Sequence, residues 1–361
     1  MKTLLGDAVY ERAYYHCSHC HTGIFPTDEE FGIEDKKTPG AAEVIALMGV
    51  LEPFEEGAED VLPRLSGLNV SASSVQRTTE AVGADVAERR AGGETFGPDA
   101  SWDWHTDATG KRVAYVGLDA TGVRQQGEHA ERAEGRMPWV GTVFNPEPPH
   151  RKRHERMWDS RYVAGLMGLP DVGAQLRREC RAVGIDRADR VIALTDGGNG
   201  LEDCLTDVLA GQAAEVEFIL DFWHASEHLQ EFAKLWIADE ESRSAQVKAW
   251  CHQLKHEGGA ALLETLQALD LARASPQVRE AHRQLTGYVG SNLHRTEYPR
   301  YVENGWQIGS GKVESACKSV VARRLKGPGM RWRESGTTSL CQLRALYKSR
   351  LWSTYWKRTV S

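Results

Sequence analysis

The sequence lacks any apolar run that approaches the roughly 18 residues needed to span a membrane. Charges near its start replace the hydrophobic centre of a secretory signal peptide, and its seven cysteines are scattered rather than spaced as a disulfide framework. We therefore expect a soluble cytoplasmic protein with reduced thiols. The composition, 41% hydrophobic and 26% charged, excludes disordered, collagen-like and coiled-coil classes, and 361 residues predict two or three domains.

The net charge of −7 hides an uneven distribution of the two signs. The 50 residues from Lys312 onward contain twelve lysines and arginines against only two acidic residues, Glu314 and Glu334, so this segment carries +10 and the remainder −17. Such asymmetry is typical of a surface that binds a polyanion, although a solvated basic helix has the same pattern. An acidic average therefore does not exclude a nucleic-acid partner.

Residues 1–40 predict a small irregular module around one Cys-x-x-Cys knuckle, formed by Cys17 and Cys20. The knuckle is flanked by three histidines, His16, His19 and His21. A structural zinc ion needs four ligands, commonly from two knuckles, and only one is present. Either histidines complete a zinc site with Cys17 and Cys20, or half of the module is missing, as in a truncated zinc ribbon. The simpler interpretation of the two cysteines is a pair of reduced thiols in a remnant.

Residues 41–92 predict a helical unit with a turn at Ser66 and Gly67. Ser71 and the serines after it are good N-caps for a further helix. A helix, a glycine turn and a helix that opens with small polar and basic residues are typical of a helix-turn-helix DNA-binding element, although a plain bundle fits too. Residues 93–110, rich in Gly, Pro and Asp, are predicted to be a linker.

Residues 111–224 predict an α/β catalytic core. Its buried strands are expected at 113–119, 138–145, 161–167, 190–196 and 216–221, with helices before and after the fourth strand. The order β-β-β-α-β-α-β favours a mixed sheet of the ribonuclease-H-like type. A doubly wound parallel sheet is disfavoured because no Gly-rich phosphate loop follows the first strand.

The remaining residues are predicted to be mostly helical. Residues 225–303 form a helical insertion, residues 304–335 complete the catalytic core, and residues 336–361 form a basic C-terminal helix.

Three acidic residues stand where ligands bind in α/β proteins. Asp119 and Asp196 end buried strands, and Glu314 lies in the first turns of an amphipathic helix. Converging carboxylates suit Mg²⁺ or Mn²⁺ and the two-metal chemistry of phosphodiesters. Each residue also has a simpler interpretation: the two aspartates as turn residues, and Glu314 as the ion-pair partner of Lys318 one helical turn later.

A second cluster consists of Asp221, His224 and His228, whose spacing places them on one face of a helix. Such a face could bind zinc in a hydrolase, although the order His-Glu-x-x-His is absent. The favoured interpretation is a hydrogen-bonded support beneath the metal site, supplied by Asp221 and His224.

Five segments resemble bacterial insertion-sequence transposases of the ISKra type, in the Mutator-like branch of the DDE transposases. The segments, in order, are AYVGLDATGV, VIALTDGGNGLED, FILDFWHASEHLQEF, WQIGSGKVESACK and RLKGPGMRW. The resemblance implies Asp119, Asp196 and Glu314 as ligands of Mg²⁺ or Mn²⁺, and a helical insertion before the glutamate. It also implies more sequence before the Cys-x-x-Cys knuckle.

The function expected from this resemblance is DNA transposition. Hydrolysis at the element end releases a 3′-hydroxyl, which then attacks target DNA. Phosphate contacts are expected from the basic segment, with Trp332 stacking on an unpaired base. The predicted contacts are Lys312, Lys318, Arg323, Arg324, Lys326 and Arg331. Double-stranded DNA is the expected partner of a homo-oligomer at the bacterial nucleoid, because two DNA ends must be joined. The alternatives are a DNA-binding protein with an inactive nuclease core and a zinc-dependent hydrolase.

Overall fold

The computed structural model describes residues 1–97, 101–127, 131, 133–146, 159–198 and 200–359. The N-terminal module contains two short antiparallel hairpins and a short helix. These elements are β1 (Lys2–Thr3), β2 (Gly6–Asp7), β3 (Tyr15–His16), β4 (Gly23–Ile24) and α1 (Pro26–Glu30). The Cys-x-x-Cys knuckle lies in the turn of the second hairpin, where the Cys17 amide donates to the Thr22 carbonyl at 2.8 Å.

A group of helices follows, over the residues predicted to be helical. They are α2 (Pro39–Leu51), α3 (Phe54–Glu56), a π-helix (Gly57–Val61), α4 (Leu62–Ser66) and α5 (Ala72–Ala91). The predicted turn is confirmed, because Gly67 ends α4 with a φ of 69° that favours glycine. The predicted cap is also confirmed: the Ser71 side chain accepts from the Ser74 amide at 3.2 Å.

A five-stranded mixed sheet forms the centre of the protein. Its strands are β5 (Val113–Ala120), β6 (Trp139–Phe144), β7 (Ser160–Gly165), β8 (Arg190–Thr195) and β9 (Val216–Leu220). Their spatial order is β7-β6-β5-β8-β9, in which β5, β6 and β7 pair antiparallel while β5, β8 and β9 pair parallel. All five predicted strands are confirmed to within three residues at each end, and the chain is an α/β protein with a mixed sheet.

Alternate residues of β5 and β8 enter different cores. Ala114, Val116 and Leu118 of β5 pack with α6 (Leu169–Ala182) and α7 (Leu201–Leu209) on one face of the sheet. Val113 and Tyr115 face the other side, toward the helices that follow β9. This alternation places every second residue of β5 on the same face as Tyr115.

The predicted helical region after β9 is confirmed as helical. Its elements are α8 (Phe222–Trp236), α9 (Glu240–Gln267), α10 (Pro276–Ser291), a 3₁₀ turn (Leu293–Arg295) and α11 (Tyr298–Glu303). Gly258 kinks α9 with a φ of 88°. Asp221, Asp239 and Ser275 cap α8, α9 and α10 by accepting backbone hydrogen bonds. None of the helices in the described ranges is long and apolar enough to cross a membrane.

The C-terminal part returns to the sheet and to the N-terminal helices. Its elements are α12 (Gly311–Ala316), a π-helix (Cys317–Ala322), α13 (Arg323–Leu325), α14 (Glu334–Lys348) and α15 (Trp352–Thr359). The prediction of one basic helix over 336–361 is wrong, since α14 and α15 are separated by a turn that includes Arg350 at a φ of 60°. Most of α14 is buried, and its Arg344 donates to the carbonyl groups of Val320, Val50 and Ser319.

The predicted linker 93–110 is also packed against the core where it is described, although residues 98–100 lie outside the described ranges. Trp104 is buried, and its indole donates to the Gly184 carbonyl at 2.9 Å. The aromatic residues in this Gly- and Pro-rich stretch therefore anchor it, because their apolar surface is removed from water.

The helices α5 and α14 cross at Gly83. A Cβ atom at Gly83 would lie 2.5 Å from the Ser339 carbonyl oxygen, a backbone atom that cannot move aside alone. Gly83→Ala should therefore lower the free energy of unfolding by about 1–3 kcal/mol, measured by urea denaturation. Gly287→Ala is the matched control: it lies within α10 with nothing within 4 Å, so it should stabilise by about 0.5–1 kcal/mol. Equal effects of the two changes would contradict this packing.

Candidate active site

Three aspartates follow or end neighbouring parallel strands at one level of the sheet. The register pairs Gly117 of β5 with Leu194 of β8. Continued for two residues, it brings Asp119 level with Asp196. The pairing of Thr195 with Leu220 likewise brings Asp196 level with Asp221. Because neighbouring strands lie about 4.8 Å apart, these residues form one row at the carboxyl edge of the sheet.

The residues of this row belong to the face covered by the helices after β9. On β8, Ile192 and Leu194 enter the same core as Tyr115, and Asp196 continues their alternation. Asp119 continues the alternation of Tyr115 and Gly117 on β5. The two predicted catalytic aspartates are therefore side by side and on one face.

Helix α12, which carries Glu314, makes a close contact with β5. A Cβ atom at Gly117 would lie 2.2 Å from the Val313 Cγ2, so only glycine lets the helix approach the strand this closely. The residue after Val313 is Glu314, whose amide donates to the Ser310 carbonyl at 2.9 Å in the first turn of α12. The helix that carries the third predicted acid therefore rests on the strand that carries the first, while the Glu314 side chain itself is 46% exposed.

Cys317 links the helix to the aspartate. Its thiol donates to the Asp119 Oδ2 at 3.5 Å. Burial raises the pKa of the Cys317 thiol, and the nearby charges of Asp119 and Glu314 raise it further. Both carboxylates therefore act electrostatically on the same buried sulfur. No sequence pattern predicted a role for Cys317, although its position three residues after Glu314 on a helix was a signal.

Ionisation of the aspartates at this edge of the sheet has an electrostatic cost. Burial raises the pKa of Asp119, and the charge of Asp196 adds to this, whereas hydrogen bonds from the Ala120 amide and Cys317 and the nearby His224 lower it. The simpler interpretations of these acids, as turn residues and as an ion-pair partner, are also supported in part. The Asp196 Oδ1 accepts from the Gly198 amide at 2.8 Å, and Lys318 lies 3.9 Å from Glu314 in an exposed pair of little energetic value.

A divalent cation bound at this edge of the sheet would relieve this cost. As the side chains stand, no group of three or more Cys, His, Asp or Glu residues in the described ranges is arranged to hold a metal ion. The available donors are nevertheless carboxylate oxygens, which these hard cations prefer. Two of them, on Asp119 and Asp196, come from adjacent strands, and a partly buried carboxylate of raised pKa is the kind of group that a cation stabilises.

Asp221 has a different role from the other aspartates of the row. It is buried, its Oδ1 accepts from the Trp223 amide at 2.9 Å, and its Oδ2 accepts from the Ser310 hydroxyl. Both oxygens are thus engaged in tying the start of α8 to the residue before α12. This supports the interpretation of Asp221 as a structural support and leaves it poorly placed as a zinc ligand.

The two histidines of the same cluster contact each other and the insertion. The His224 and His228 rings lie 5.0 Å apart, and His228 lies 4.1 Å from the Tyr288 ring. Burial and the neighbouring His224 lower the pKa of His228. Tyr288 donates to the Asp196 carbonyl at 3.1 Å, which fixes the backbone after β8. No sequence pattern pointed to Tyr288, because the contact joins residues 92 positions apart.

The predicted DNA contacts divide into exposed and buried residues. Lys318, Arg323, Lys326 and Arg331 are exposed, and Lys312 is half-buried with its ammonium 6.0 Å from the Phe144 ring. Lys326 also donates to the Thr121 hydroxyl at 2.6 Å, just beyond the end of β5.

Two of the predicted DNA contacts are wrong. Arg324 is only 2% exposed and donates to the Gly49 carbonyl at 2.9 Å. Trp332 is 7% exposed, and its indole donates to the Leu325 carbonyl at 2.9 Å, so its face does not offer a surface for stacking. The helical repeat explains the first error, since Arg324 lies three and four residues after the buried Val321 and Val320.

Cys17 and Cys20 are both exposed on the second hairpin. Hydrogen bonds from Thr22 and then from Cys17 lower the pKa of Cys20 to about 7, and its sulfur lies 2.8 Å from the Thr22 hydroxyl. Such a thiol is readily deprotonated, as metal binding requires. No complete set of zinc ligands surrounds the pair within the described ranges, so zinc binding there stays a prediction.

Comparison of the chain with protein-family models and with curated proteins found no match in either case. The family resemblance therefore depends on the five sequence segments alone.

The contact between Gly117 and Val313 predicts a compensating pair of mutations. Gly117→Ala should cost about 1–3 kcal/mol of unfolding free energy, because the new methyl group overlaps the Val313 Cγ2. Removing that atom leaves the Val313 Cβ at 3.5 Å, an ordinary contact. The double variant Gly117→Ala/Val313→Ala should therefore be destabilised less than the sum of the single variants, in a double-mutant cycle by urea denaturation. Additive effects would show that α12 does not rest on β5 at this point.

The raised pKa of Asp119 predicts that the folded protein loses stability as the pH rises. The pKa of Asp119 is raised in the folded protein, so this carboxyl ionises less readily there than in the unfolded chain. The protein therefore loses stability as the pH rises above about 4, the ordinary pKa of an aspartate. In EDTA, Asp119→Asn should therefore melt at a higher temperature than the wild type at pH 7, and the difference should vanish toward pH 4. Calorimetry of the exposed control Asp186→Asn should show no such trend. A lower melting temperature for Asp119→Asn at pH 7 would contradict the assignment.

Proposed function

We propose that the protein is a DNA transposase that cleaves and joins DNA strands at insertion-sequence ends with Mg²⁺ or Mn²⁺. The observation that carries this proposal is the alignment of Asp119 with Asp196 on one face of the sheet, with the helix of Glu314 packed on the same strand. Phosphodiester chemistry by divalent cations needs oxygen ligands of this kind near a surface that DNA can reach.

The topology supports a ribonuclease-H-like core. Three antiparallel strands, β5, β6 and β7, are extended beyond β5 by two parallel strands, β8 and β9, with helices on both faces. The helical region between β9 and α12 agrees with the insertion that a Mutator-like transposase would have before its glutamate. Both features suit a DDE transposase.

A divalent ion held by Asp119, Asp196 and Glu314 would supply Lewis-acid activation of the phosphodiester. The protein's own residues orient these ligands. Cys317 donates to Asp119 and holds one carboxylate oxygen in place. Through Ser310, Asp221 joins β9 and α8 to the first turn of α12, and thereby positions Glu314. Removal of either contact should impair the site without removing a ligand.

The exposed basic residues beside the site would bind the DNA backbone. Lys318 and Arg323 lie one to three helical turns after Glu314, and Lys326 lies next to the end of β5. Ammonium and guanidinium groups at these positions neutralise phosphates, so binding should weaken steeply as salt is added. The backbone would thus be guided toward the carboxylate edge.

The proposal is tested with DNA that carries both ends of the element from which the chain derives. The wild type should nick or join this DNA with Mg²⁺ or Mn²⁺ and not in EDTA. Asp119→Asn and Asp196→Asn should each lower the rate by more than about 100-fold, beyond what loss of a supporting contact costs. Asp186→Asn, an exposed aspartate before β8, is the matched control and should retain the rate.

The results that contradict the proposal separate its alternatives. Tight DNA binding without cleavage in any metal would identify a DNA-binding protein with an inactive core. Activity that requires Zn²⁺ and survives Asp119→Asn but not His224→Ala would identify a zinc hydrolase.

A further inference from the structure

Two histidines form an exposed pair on the helical insertion. His252 and His256 lie one turn apart on α9, and both side chains are exposed. Their ring centroids are 4.4 Å apart, and the ring planes are inclined by 38°. Among the described residues, no hydrogen bond or ion pair engages either imidazole. The unprotonated nitrogen of each neutral ring is therefore available to bind an ion from solvent.

The distance between the two rings matches that of two ligands of one ion. Imidazole nitrogens bind divalent ions such as Zn²⁺ at about 2.0–2.1 Å, which places each ring centroid about 3.2 Å from the ion. Two such centroids are about 4.5 Å apart at a right angle, and about 5.2 Å apart at the tetrahedral angle. The observed 4.4 Å therefore agrees with neighbouring positions around a square-planar or octahedral ion, rather than around a tetrahedral one.

The pair on α8 shows that the spacing along a helix does not produce this arrangement by itself. His224 and His228 are also four residues apart, but their centroids lie 5.0 Å apart and their planes are nearly perpendicular, at 89°. The half-buried His228 also packs 4.1 Å from the Tyr288 ring, so it cannot turn toward an ion without losing that contact. The exposed rings on α9 have no such restraint.

The exposed pair lies just before the break in α9. Gly258, two residues after His256, has a φ of 88° and interrupts the helix. The segment after the break is fixed to its neighbours, since the Gly259 amide donates to the Thr296 carbonyl at 3.1 Å. The turn before the break carries the histidines, and carbonyl groups at such a helix end lack partners within the helix. An ion that joins residues one turn apart would stabilise this turn.

We propose that His252 and His256 form a second metal site, which binds one Ni²⁺ or Cu²⁺ ion through both imidazoles, with water in the other positions. Imidazole suits these ions, and both favour ligands at right angles. Mg²⁺ and Mn²⁺ prefer oxygen ligands and would therefore compete poorly for this site. The site does not depend on the proposed function, because it includes none of the acids at the sheet edge and needs no DNA.

Hydrogen exchange of the full chain in excess Mg²⁺ tests the site by its position in the sequence. Ni²⁺ should slow amide exchange over residues 252–257 of the wild type, and Cu²⁺ should do so at a lower concentration. The double variant His252→Gln/His256→Gln should lose this protection and bind one fewer Ni²⁺ in a calorimetric titration. Each single variant should bind Ni²⁺ at this site about 100-fold more weakly, because the second imidazole no longer closes the ring intramolecularly.

Two controls separate metal binding from effects on the fold. Because both histidines are exposed, the double variant and the wild type should have the same melting temperature in EDTA. His294→Gln removes another exposed histidine of the insertion, one that lies 2.9 Å from Glu202 and has no histidine one turn away. This variant should keep the protection of residues 252–257 by Ni²⁺.

The opposite results would overturn this inference and leave the proposed function intact. They are the absence of protection over residues 252–257 with either ion, and protection that survives the double variant.

Discussion

The pairing register of three parallel strands is the constraint on which the candidate site depends. With β5, β8 and β9 aligned as they are, Asp119, Asp196 and Asp221 stand in one row on one face. Because side chains alternate along a strand, a slip of one residue would send an aspartate to the opposite face, into the apolar core against α6 and α7. The alternation of buried apolar residues on β5 and β8 therefore stabilises the fold and aligns the acids at once.

The protein uses the acids of this row differently. The two side-chain oxygens of Asp221 accept hydrogen bonds from the Trp223 amide of α8 and from the Ser310 hydroxyl, so this aspartate has a structural role. Asp119, in contrast, has a raised pKa beside Asp196, so its charged form destabilises the fold. A neutral residue in place of either aspartate would remove this cost if the two acids had only a structural role. Functional sites commonly retain such unfavourable charge, because the groups that destabilise the free protein are the ones that its activity needs. The close approach at Gly117 belongs to the same arrangement, since it brings the helix of Glu314 onto β5.

Sequence patterns predicted the elements well where local chemistry decides them. The five strands follow from short runs of β-branched and apolar residues, and the start of α5 from the capping of Ser71. The alignment of Asp119 with Asp196 could not be predicted in this way, because it depends on the pairing register of β5 with β8, which the sequence of one strand does not determine. Predictions failed where tertiary packing covers a side chain: Arg324 and Trp332 were expected to contact DNA, but they donate to backbone carbonyls inside the protein. Charge counted along the sequence does not show which basic residues face inward.

Anomalous diffraction from crystals of the full chain grown with Mn²⁺ would test directly whether Asp119 and Asp196 bind a metal ion together. We expect an anomalous peak within coordination distance, about 2.2 Å, of carboxylate oxygens from both Asp119 and Asp196, with Glu314 beside it, and its loss in Asp119→Asn. A peak at His224 and His228 instead, or none at this edge of the sheet, would contradict it.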